Sequence, residues 1–412
     1  MANAYIVDAC RTPRGVGKVG KGSLAGMHPQ HLGATVLAAL RDRNRLDTTA
    51  VDDIVWGCSN QQWKQGGDLG RMSALDAGYD VRASGVTLDR FCGSGLTSTN
   101  FGAATIMSGM EDIVISGGTE MMSYNASEPM AKRPSLFDAG NLHLRALHPQ
   151  VAQGICADAI ATLEGISRQA TEELAAESQR RADEAIRNGY FERSLVAVRD
   201  REGHLLLDRD EYPRPSTTLE GLAQLKPAFA DIADQPTEEG GPSQRELINR
   251  VYPDLEIEHI HHAGTSSGVV DGAAAILLAS EKACGKYGWK PRARVVAMAN
   301  VGDSPELMLN APGPAALKVL EKAGLTLDDI DLFEVNEAFA VVPEKFIRDL
   351  GVDREKVNVN GGAIALGHPI GATGAMLIGT ALDELERRDG KRALVTMCAA
   401  GGMAPAIVIE RV

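Results

Sequence analysis

Short apolar runs that alternate with amphipathic segments dominate the N-terminal end of the chain. Four of these runs have the length and composition of buried strands. They lie at 4–9, 52–57, 85–91 and 112–118. Between the first two, the segment 31–40 places its aliphatic side chains on one helical face. This alternation predicts a mostly parallel sheet that is covered by helices.

The same alternation returns at about residue 263, where six further apolar runs predict strands. They lie at 271–280, 293–301, 329–335, 356–360, 392–398 and 404–410. The segment between the two ends is more polar and richer in proline. It contains one clear helix at 167–189, for which Ser167 is the expected N-cap. We expect its acidic, turn-rich part at 231–246 to be a surface excursion.

The two ends of the chain resemble copies of each other. In the first, a strand leads to Cys92 and then to a helix rich in small residues. In the second, a strand leads to His368 and a similar helix, and both copies continue into another strand at a nearly constant offset. We therefore expect a duplicated α/β fold whose pseudo-twofold relation brings Cys92 and His368 together.

The predicted organisation has three parts. They are an N-terminal half at 1–122, a loop domain at 123–262 and a C-terminal half at 263–412. Residues 263–280 are expected to complete the sheet of the N-terminal half.

Composition narrows the class of protein further. The chain has 412 residues, of which 44% are hydrophobic, and this is ample for a large core. Its net charge of −13 argues against nonspecific nucleic-acid binding. We find neither a signal peptide nor an apolar run of about 18 residues, so we expect a cytoplasmic protein that does not span a membrane. The six cysteines form no CxxC pair, which argues against a metal site or a disulfide framework.

Four segments stand out, and three of them combine a reactive side chain with glycine, which lets backbone and substrate come close. They are DRFCGSGL (89–96), VNEAFA (335–340), NGGAIALGHPIGATG (360–374) and CAAGGMAPA (398–406). Cys92 precedes a predicted helix, whose N-terminal N–H groups favour a thiolate. His368 titrates in a range suited to removing the thiol proton. Cys92 taken alone would more often be a structural thiol, but the four segments together favour a nucleophile.

These segments resemble the thiolase family of CoA-dependent acyltransferases. GGTEMMS (117–123) and AGTSSGVVDGAAA (263–275) match two further blocks, so the resemblance runs over essentially the whole chain in order. It implies an α/β thiolase fold, with duplicated βαβαβαββ halves in a five-layered αβαβα arrangement and an inserted loop domain. It also implies a homodimer or homotetramer with acyl-CoA and CoA as substrates. No separate cofactor or metal is expected, and a partner subunit of β-oxidation is possible.

The resemblance assigns roles to five residues at the reaction centre. Cys92 would be acylated, and His368 would activate it and donate a hydrogen bond to the thioester oxygen. Asn336 would hold a water that completes this first oxyanion hole. Cys398 would act as the acid/base at the α-carbon of acetyl-CoA. The backbone N–H groups of Cys92 and Ala400 would form a second oxyanion hole.

The resemblance also implies the residues that bind CoA and the acyl group. Arg214 would meet the nucleotide end of CoA, and Phe229 would line the pantetheine tunnel. Ser267 would hydrogen-bond the pantetheine, and Phe339 would be a further substrate-binding residue.

Two departures from the family pattern bear on acyl preference. Many members carry glycine where this chain has Ala400, and the CAAGG form resembles thiolase subunits of fatty-acid β-oxidation complexes. Gln153-Gly154 stands where many members have His-Met-Gly. The first departure leans toward degradation of 3-ketoacyl-CoA, and the second leaves the preferred acyl group open.

Three other functions stay open at this point. A β-ketoacyl-synthase-like condensing enzyme would lack the second cysteine, so Cys398 argues against it. A catalytically quiet CoA-binding scaffold of a β-oxidation complex would not need the complete residue set. A cysteine hydrolase would pass the acyl group to water rather than to CoA.

Overall fold

The computed structural model describes residues 2–126 and 137–412 of the chain. Its strands follow most of the apolar runs of the sequence. They are β1 (Ala4–Arg11), β2 (Gly15–Val16), β3 (Asp53–Gly57), β4 (Val86–Leu88), β5 (Ile113–Met121), β6 (Val198–Arg199), β7 (Leu205–Leu207), β8 (Val270–Ser280), β9 (Ala293–Gly302), β10 (Leu332–Val335), β11 (Arg392–Thr396) and β12 (Met403–Arg411).

The helices alternate with these strands and also form most of the middle segment. They are α1 (Pro29–Asn44), α2 (Leu69–Asp76), α3 (Ser94–Ser108), α4 (Met122–Asn125), α5 (Leu142–Leu147), α6 (Gln153–Leu163), α7 (Arg168–Arg187), α8 (Leu219–Ala223), α9 (Ala230–Ala233), α10 (Gln244–Asn249), α11 (Glu281–Tyr287), α12 (Pro312–Ala323), α13 (Val341–Leu350), α14 (Ala363–Leu366) and α15 (Thr373–Arg388).

The strands of the two halves occupy equivalent positions. In the N-terminal half the order is β4-β3-β5-β8-β1, and in the C-terminal half it is β10-β11-β12-β9. A parallel bridge between Phe333 and Val357 adds a fifth position at the outer edge of the second sheet. In both halves the outer pairings are parallel and the inner pairings are antiparallel. The two sheets therefore have the same topology, as a duplication predicts.

The two sheets are joined along one edge. Strand β1 pairs with β9 through Tyr5–Arg294 and Ile6–Ala293, which makes one continuous path of strands. Strand β8, which follows the middle segment, pairs with both β1 and β5. The sheet of the N-terminal half is thus closed by residues from far along the chain.

Side chains that alternate along the strands divide the core into layers. On β3, Ile54 faces the outer helices while Val55 faces the central ones. On β11, Leu394 faces the outer side of the second sheet while Val395 faces the centre. Helices α3 and α15 fill the central layer, because their apolar side chains pack with the inner faces of both sheets. The order of layers is helix, sheet, helix, sheet, helix.

The N-terminal turns of the two central helices approach each other closely. A Cβ atom on Gly374 would overlap the backbone nitrogen of Leu96, and one on Gly95 would lie 2.8 Å from the carbonyl oxygen of Gly371. Glycine is therefore required at both positions. Since Cys92 precedes α3 and His368 precedes α15, this contact places the two loops side by side.

The prediction of a strand at 356–360 was wrong. A 3₁₀ turn occupies Arg354–Lys356, and Asn358 has a positive φ of 48°. The side chain of Asn358 accepts a hydrogen bond from the N–H of Val335 at 2.8 Å and donates one to the Val335 carbonyl at 2.8 Å. The side chain of Asn358 thus makes the hydrogen bonds at the edge of the sheet that a strand at 356–360 was expected to make.

The middle segment packs against both halves. Helix α7 begins where the sequence predicted, and the Ser167 hydroxyl accepts a hydrogen bond from the N–H of Ala170 at 3.2 Å. The expected excursion at 231–246 overlaps the short helices α9 and α10. Within the described residues, no helix has the length and apolarity needed to cross a membrane.

The contact at Gly374 yields a stability prediction. Gly374→Ala should destabilise the fold by about 1–3 kcal/mol, because its Cβ would meet backbone that cannot move independently of α3. Gly379→Ala is the matched control on the same helix, since its Cβ would have Ala9 as nearest neighbour, at 3.5 Å. The control should be neutral or slightly stabilising. Thermal denaturation of both variants measures the difference, and equal midpoints would contradict the packing described.

Candidate active site

Cys92 lies on a tight turn between β4 and α3. The Asp89 carboxylate accepts a hydrogen bond from the N–H of Phe91 at 2.6 Å. The Ser94 hydroxyl accepts from the N–H of Arg90 at 2.9 Å and donates to the Phe91 carbonyl at 2.7 Å. Phe91 has a φ of 48°, which is a strained conformation for a bulky side chain. The turn holds the thiol at the N-terminus of α3.

The Cys92 thiol is nearly inaccessible, with 5% of the residue exposed. Burial raises the pKa of Cys92 to about 12, and a hydrogen bond from the Gln153 side chain opposes this rise. The nearby carboxyl group of Glu120 raises the Cys92 pKa further. Cys92 is therefore a neutral thiol at physiological pH, and it needs a base to remove its proton.

His368 is oriented by three contacts. Its backbone N–H donates to the Gly268 carbonyl at 2.8 Å, and its Nδ1 lies 2.6 Å from the Thr373 hydroxyl. That hydroxyl donates to the Pro369 carbonyl at 3.0 Å, so the proton between the ring and Thr373 belongs to Nδ1. Nε2, which lies 3.4 Å from the amide nitrogen of Asn336, is then free to accept a proton.

Burial lowers the pKa of His368 to about 3, and the positive charge of Arg14 acts in the same direction. Arg14 is itself buried beside Asp210. The ring is therefore neutral at physiological pH. It takes a proton only when a negative charge forms beside it, as it would when Cys92 becomes a thiolate.

Cys398 follows β11 and is fully buried. Burial raises its pKa, and the nearby Cys92 raises it further, so the two thiols are close enough to interact electrostatically. The following turn closes through reciprocal hydrogen bonds between Ala399 and Met403 at 2.7 and 3.1 Å. Two glycines of this turn, 401 and 402, have positive φ angles of 76° and 75°. Ala400 is not among the residues with positive φ, so an alanine fits there without strain.

Asn336 follows β10 and is 1% exposed. It does not cap a helix, because the next helix begins at Val341. Its Oδ1 is buried and has no hydrogen-bond partner within the described part of the chain. This free acceptor, beside the ring of His368, is compatible with a bound water.

Two supporting residues were missed in the sequence. The buried Glu120 carboxylate accepts hydrogen bonds from the backbone N–H groups of Ser59 at 2.9 Å and Gly371 at 3.0 Å, which ties the His368 loop to the end of β5. Thr373 fixes the tautomer of the histidine. Both lie inside the quoted blocks GGTEMMS and GHPIGATG, so a polar residue within a glycine-rich block was the available signal.

The residues predicted to contact the substrate lie in two separate parts of the structure. Phe229 and Phe339 pack edge to face with ring centroids 5.8 Å apart. The ring of Phe229 also lies directly against Gly154, where a side chain would overlap it. Ser267 donates its backbone N–H to the Ala338 carbonyl at 2.9 Å. This bond joins the segment of Gly268, which holds the backbone of His368, to the segment of Phe339.

Arg214 lies in a surface cleft of about 230 Å³. Its guanidinium stands 5.2 Å from the ring of Tyr212, whose ring in turn lies against Gly268, the residue that holds the backbone of His368. Among the described residues that line the cleft, Arg214 is the one charged side chain. The cleft therefore offers a positive charge and no competing carboxylate to an anionic ligand.

The chain matches two family models that together cover most of its length. The thiolase N-terminal domain model matches residues 4–233, and the thiolase C-terminal domain model matches residues 289–411. A beta-ketoadipyl-CoA thiolase from Acinetobacter baylyi is 40% identical over 100% of both chains. A steroid 3-ketoacyl-CoA thiolase from Mycobacterium tuberculosis is 40% identical over 100% of this chain and 95% of its own. The chain belongs to the thiolase family.

Solved structures agree with this assignment. Human mitochondrial 3-ketoacyl-CoA thiolase in complex with CoA superposes with a TM-score of 0.84, at 32% identity over 100% of this chain and 98% of that chain. Acetyl-CoA acetyltransferase from Bacillus anthracis gives a TM-score of 0.83 at 30% identity, over 100% and 99% of the two chains.

The family, the thiolase fold and the acyltransferase class predicted from the sequence are thus confirmed. The roles of single residues and the boundaries of the three predicted parts stay predictions. One of those parts, the loop domain, includes residues 127–136, which lie outside the described residues.

The buried imidazole makes stability depend on pH. Because the folded-state pKa of His368 is about 3, the unfolded chain binds a proton below about pH 6.5 that the folded chain does not. This thiolase should therefore lose about 2 kcal/mol at this site as pH falls from 7.5 to 5. His368→Asn should remove that loss, whereas the exposed His204→Asn should not. Thermal midpoints across this range provide the test, and parallel curves for wild type and His368→Asn would contradict it.

Proposed function

We propose that this thiolase cleaves a 3-ketoacyl-CoA with CoA, and runs the reverse Claisen condensation, through an acyl-Cys92 intermediate. The observation that carries the proposal is the contact between the first turns of α3 and α15, which brings the loop of Cys92 against the loop of the oriented His368. The buried Cys398 is a second thiol, and its pKa is raised by Cys92. One thiol can serve as nucleophile while the other serves as acid/base.

In the first half-reaction His368 accepts the proton of Cys92 at Nε2, and the sulfur attacks the C3 carbonyl carbon of the substrate. The carbonyl oxygen becomes an oxyanion that the imidazolium and a water on Asn336 stabilise. The C2–C3 bond then breaks, and its electron pair leaves as the enolate of acetyl-CoA. The Cys398 thiol protonates that enolate at its α-carbon, while the backbone N–H groups of Cys92 and Ala400 hold its oxygen.

In the second half-reaction a new CoA enters as nucleophile. Its thiol loses a proton to the Cys398 thiolate and attacks the acyl-Cys92 thioester. The Cys92 sulfur leaves and regains its proton from His368. One thioester is exchanged for another, so this step is nearly balanced in energy and both directions can use the same site.

CoA binding is proposed along the path from the cleft to the sulfurs. Arg214 would meet the phosphates of the nucleotide, and a planar guanidinium suits this task. Ser267, Phe229 and Phe339 would border the pantetheine arm and the acyl group. Relatives named for beta-ketoadipyl-CoA and for steroid 3-ketoacyl-CoA are equally similar to this chain. We therefore propose the class of substrate, a 3-ketoacyl-CoA, without naming its acyl group.

Three features of this thiolase stay predictions from the sequence. They are assembly into a homodimer or homotetramer, a partner subunit of β-oxidation and a cytoplasmic location. The condensing-enzyme alternative is disfavoured by Cys398 and by the thiolase models that match both halves. The scaffold and hydrolase alternatives are decided by assaying the purified chain with CoA and with water as acyl acceptors.

The two thiols should separate in function when each is replaced. Cys92→Ser should abolish the acetyl adduct that forms with acetyl-CoA. Cys398→Ser should still form that adduct at Cys92 but should cleave acetoacetyl-CoA about 10²–10⁴-fold more slowly. Intact-mass spectrometry and a thiolysis assay measure both effects, with Cys284→Ser on α11 as the control. An adduct at residue 92 in Cys92→Ser, or none in Cys398→Ser, would contradict these roles.

Arg214 should act on binding rather than on chemistry. Arg214→Ala should raise the KM for CoA about two- to fivefold with little change in kcat, since an exposed charge pair contributes up to about 1 kcal/mol. Raising the salt concentration should shrink the difference. Arg201→Ala removes an exposed arginine that pairs with Asp76 elsewhere, and it should leave KM unchanged. A fall in kcat alone would argue against phosphate binding by Arg214.

A further inference from the structure

Helix α6 carries a glycine and a carboxylate on one face. Gly154 and Asp158 lie four residues apart, so their positions adjoin on the surface of the helix. Gly154 packs directly against the ring of Phe229, where any side chain would overlap it. Asp158 is fully buried, and no step of the proposed reaction uses it. A carboxylate that is buried at this cost needs an explanation in what it binds.

The Asp158 carboxylate is shared by two histidines. Its Oδ2 lies 2.7 Å from Nδ1 of His259, and its Oδ1 lies 2.8 Å from Nδ1 of His261. Oδ1 also accepts the backbone N–H groups of Ile260 at 3.1 Å and His261 at 2.9 Å. Burial raises the pKa of Asp158, but the hydrogen bonds from the two rings outweigh burial and hold that pKa below its ordinary value. The carboxylate is therefore ionised and can only accept, so Nδ1 of each ring donates to it.

This arrangement leaves His261 with one unpaired nitrogen. The residue is fully buried, and its Nε2 has no hydrogen-bond partner among the residues that the structure describes. An unpaired polar atom in the interior costs free energy, and a purely apolar side chain would fill the same space without that cost. The reason for an imidazole here therefore lies in what its ring and its Nδ1 contact.

The ring of His261 packs on a pair of phenylalanine rings. It meets the ring of Phe339 edge to face, with centroids 5.7 Å apart and planes at 87°. Phe339 meets Phe229 in the same manner, at 5.8 Å and 73°. The His261 carbonyl also accepts the N–H of Ala228, the residue before Phe229, at 2.9 Å. Since Gly154 packs against Phe229, these contacts form a closed circuit that begins and ends on α6.

The circuit is connected to the reaction centre by one short stretch of backbone. Ser267 donates its N–H to the carbonyl of Ala338, the residue before Phe339, at 2.9 Å. The next carbonyl along the chain, that of Gly268, accepts the N–H of His368 at 2.8 Å. The position of the Phe339 ring is therefore tied to the position of the His368 ring.

We propose that His261 is a positioning residue for substrate binding, whose ring, oriented by Asp158, holds Phe339 and Phe229 as a fixed apolar wall for the pantetheine arm of CoA. The inference rests on the proposed function, in which these two rings border that arm. The arm is a flexible chain that loses conformational freedom on binding. A wall that is already ordered adds no further cost for ordering its own side chains. His261 therefore acts on the binding of the arm and not on the reactivity of Cys92.

The test compares two reagents that reach the same sulfur, one with the arm and one without it. Acetoacetyl-pantetheine carries the arm, and iodoacetamide does not. His261→Asn keeps a donor for Asp158 and removes the ring from Phe339. It should lower kcat/KM for acetoacetyl-pantetheine about two- to tenfold, as expected for the loss of an aromatic pair, mainly through a higher KM. The rate at which iodoacetamide alkylates Cys92 should stay at the wild-type value.

The same carboxylate offers a matched control. His259→Asn changes the other histidine on Asp158, whose ring contacts Arg245 instead of Phe339, and it should leave kcat/KM at the wild-type value. Asp158→Asn is a second test variant, because an amide cannot accept from both rings, and it should lower kcat/KM by no more than His261→Asn does. A wild-type kcat/KM in His261→Asn would overturn the proposal. An equal loss in His259→Asn, or an equally large fall in alkylation, would also overturn it.

The same protein preparations keep the two proposals distinguishable. Should the wild type cleave acetoacetyl-CoA while His261→Asn uses acetoacetyl-pantetheine as well as the wild type does, the His261 inference alone fails. Should the wild type cleave no 3-ketoacyl-CoA, the proposed function fails. Calorimetric titration of CoA into both proteins then decides the role of His261, since equal Kd values would contradict it.

Discussion

The backbone contact between the first turns of α3 and α15 positions everything at the reaction centre. Gly95 and Gly374 have no side chains there, and a Cβ on either would meet the backbone of the facing segment. Because Cys92 and His368 each precede one of these helices, the contact sets the spacing of their loops. Glu120 secures it by accepting the N–H of Gly371 at 3.0 Å. Two helix N-termini thus point toward one small volume, and both favour negative charge there.

That volume is buried, and burial governs its chemistry. It holds Cys92, Cys398 and His368 in their neutral forms. Charge forms only during reaction, and fixed N–H donors are worth far more in such a place than in water. The backbone N–H groups of Cys92 and Ala400 are proposed as donors of this kind. The same burial makes the free energy of unfolding decrease in acid, because His368 takes up a proton more readily in the unfolded chain than in the folded one.

The middle segment completes the site from outside the duplicated halves. On helix α6, Gly154 packs against the ring of Phe229, and that ring meets the ring of Phe339 at a centroid distance of 5.8 Å. The sequence of the middle segment is polar and irregular, so periodicity revealed little of this beyond helix α7. The strand expected at 356–360 failed for a related reason. There the side chain of Asn358 takes over hydrogen bonds that a strand would make, and a period-two pattern of apolar residues cannot distinguish the two solutions.

Local pattern and motif were enough for most strands of both halves, the duplication and the thiolase family. They were also enough to name Cys92, His368, Asn336 and Cys398 as candidates. These follow from short-range regularities, namely alternation, glycine content and ordered blocks. The tertiary structure decided which neighbours those residues meet. It revealed the contact of Thr373 with His368 that sets the tautomer, and the hydrogen bond from the N–H of Gly371 to Glu120. Such contacts join residues far apart in the chain, and they are set by how helices and sheets pack, which no local pattern records.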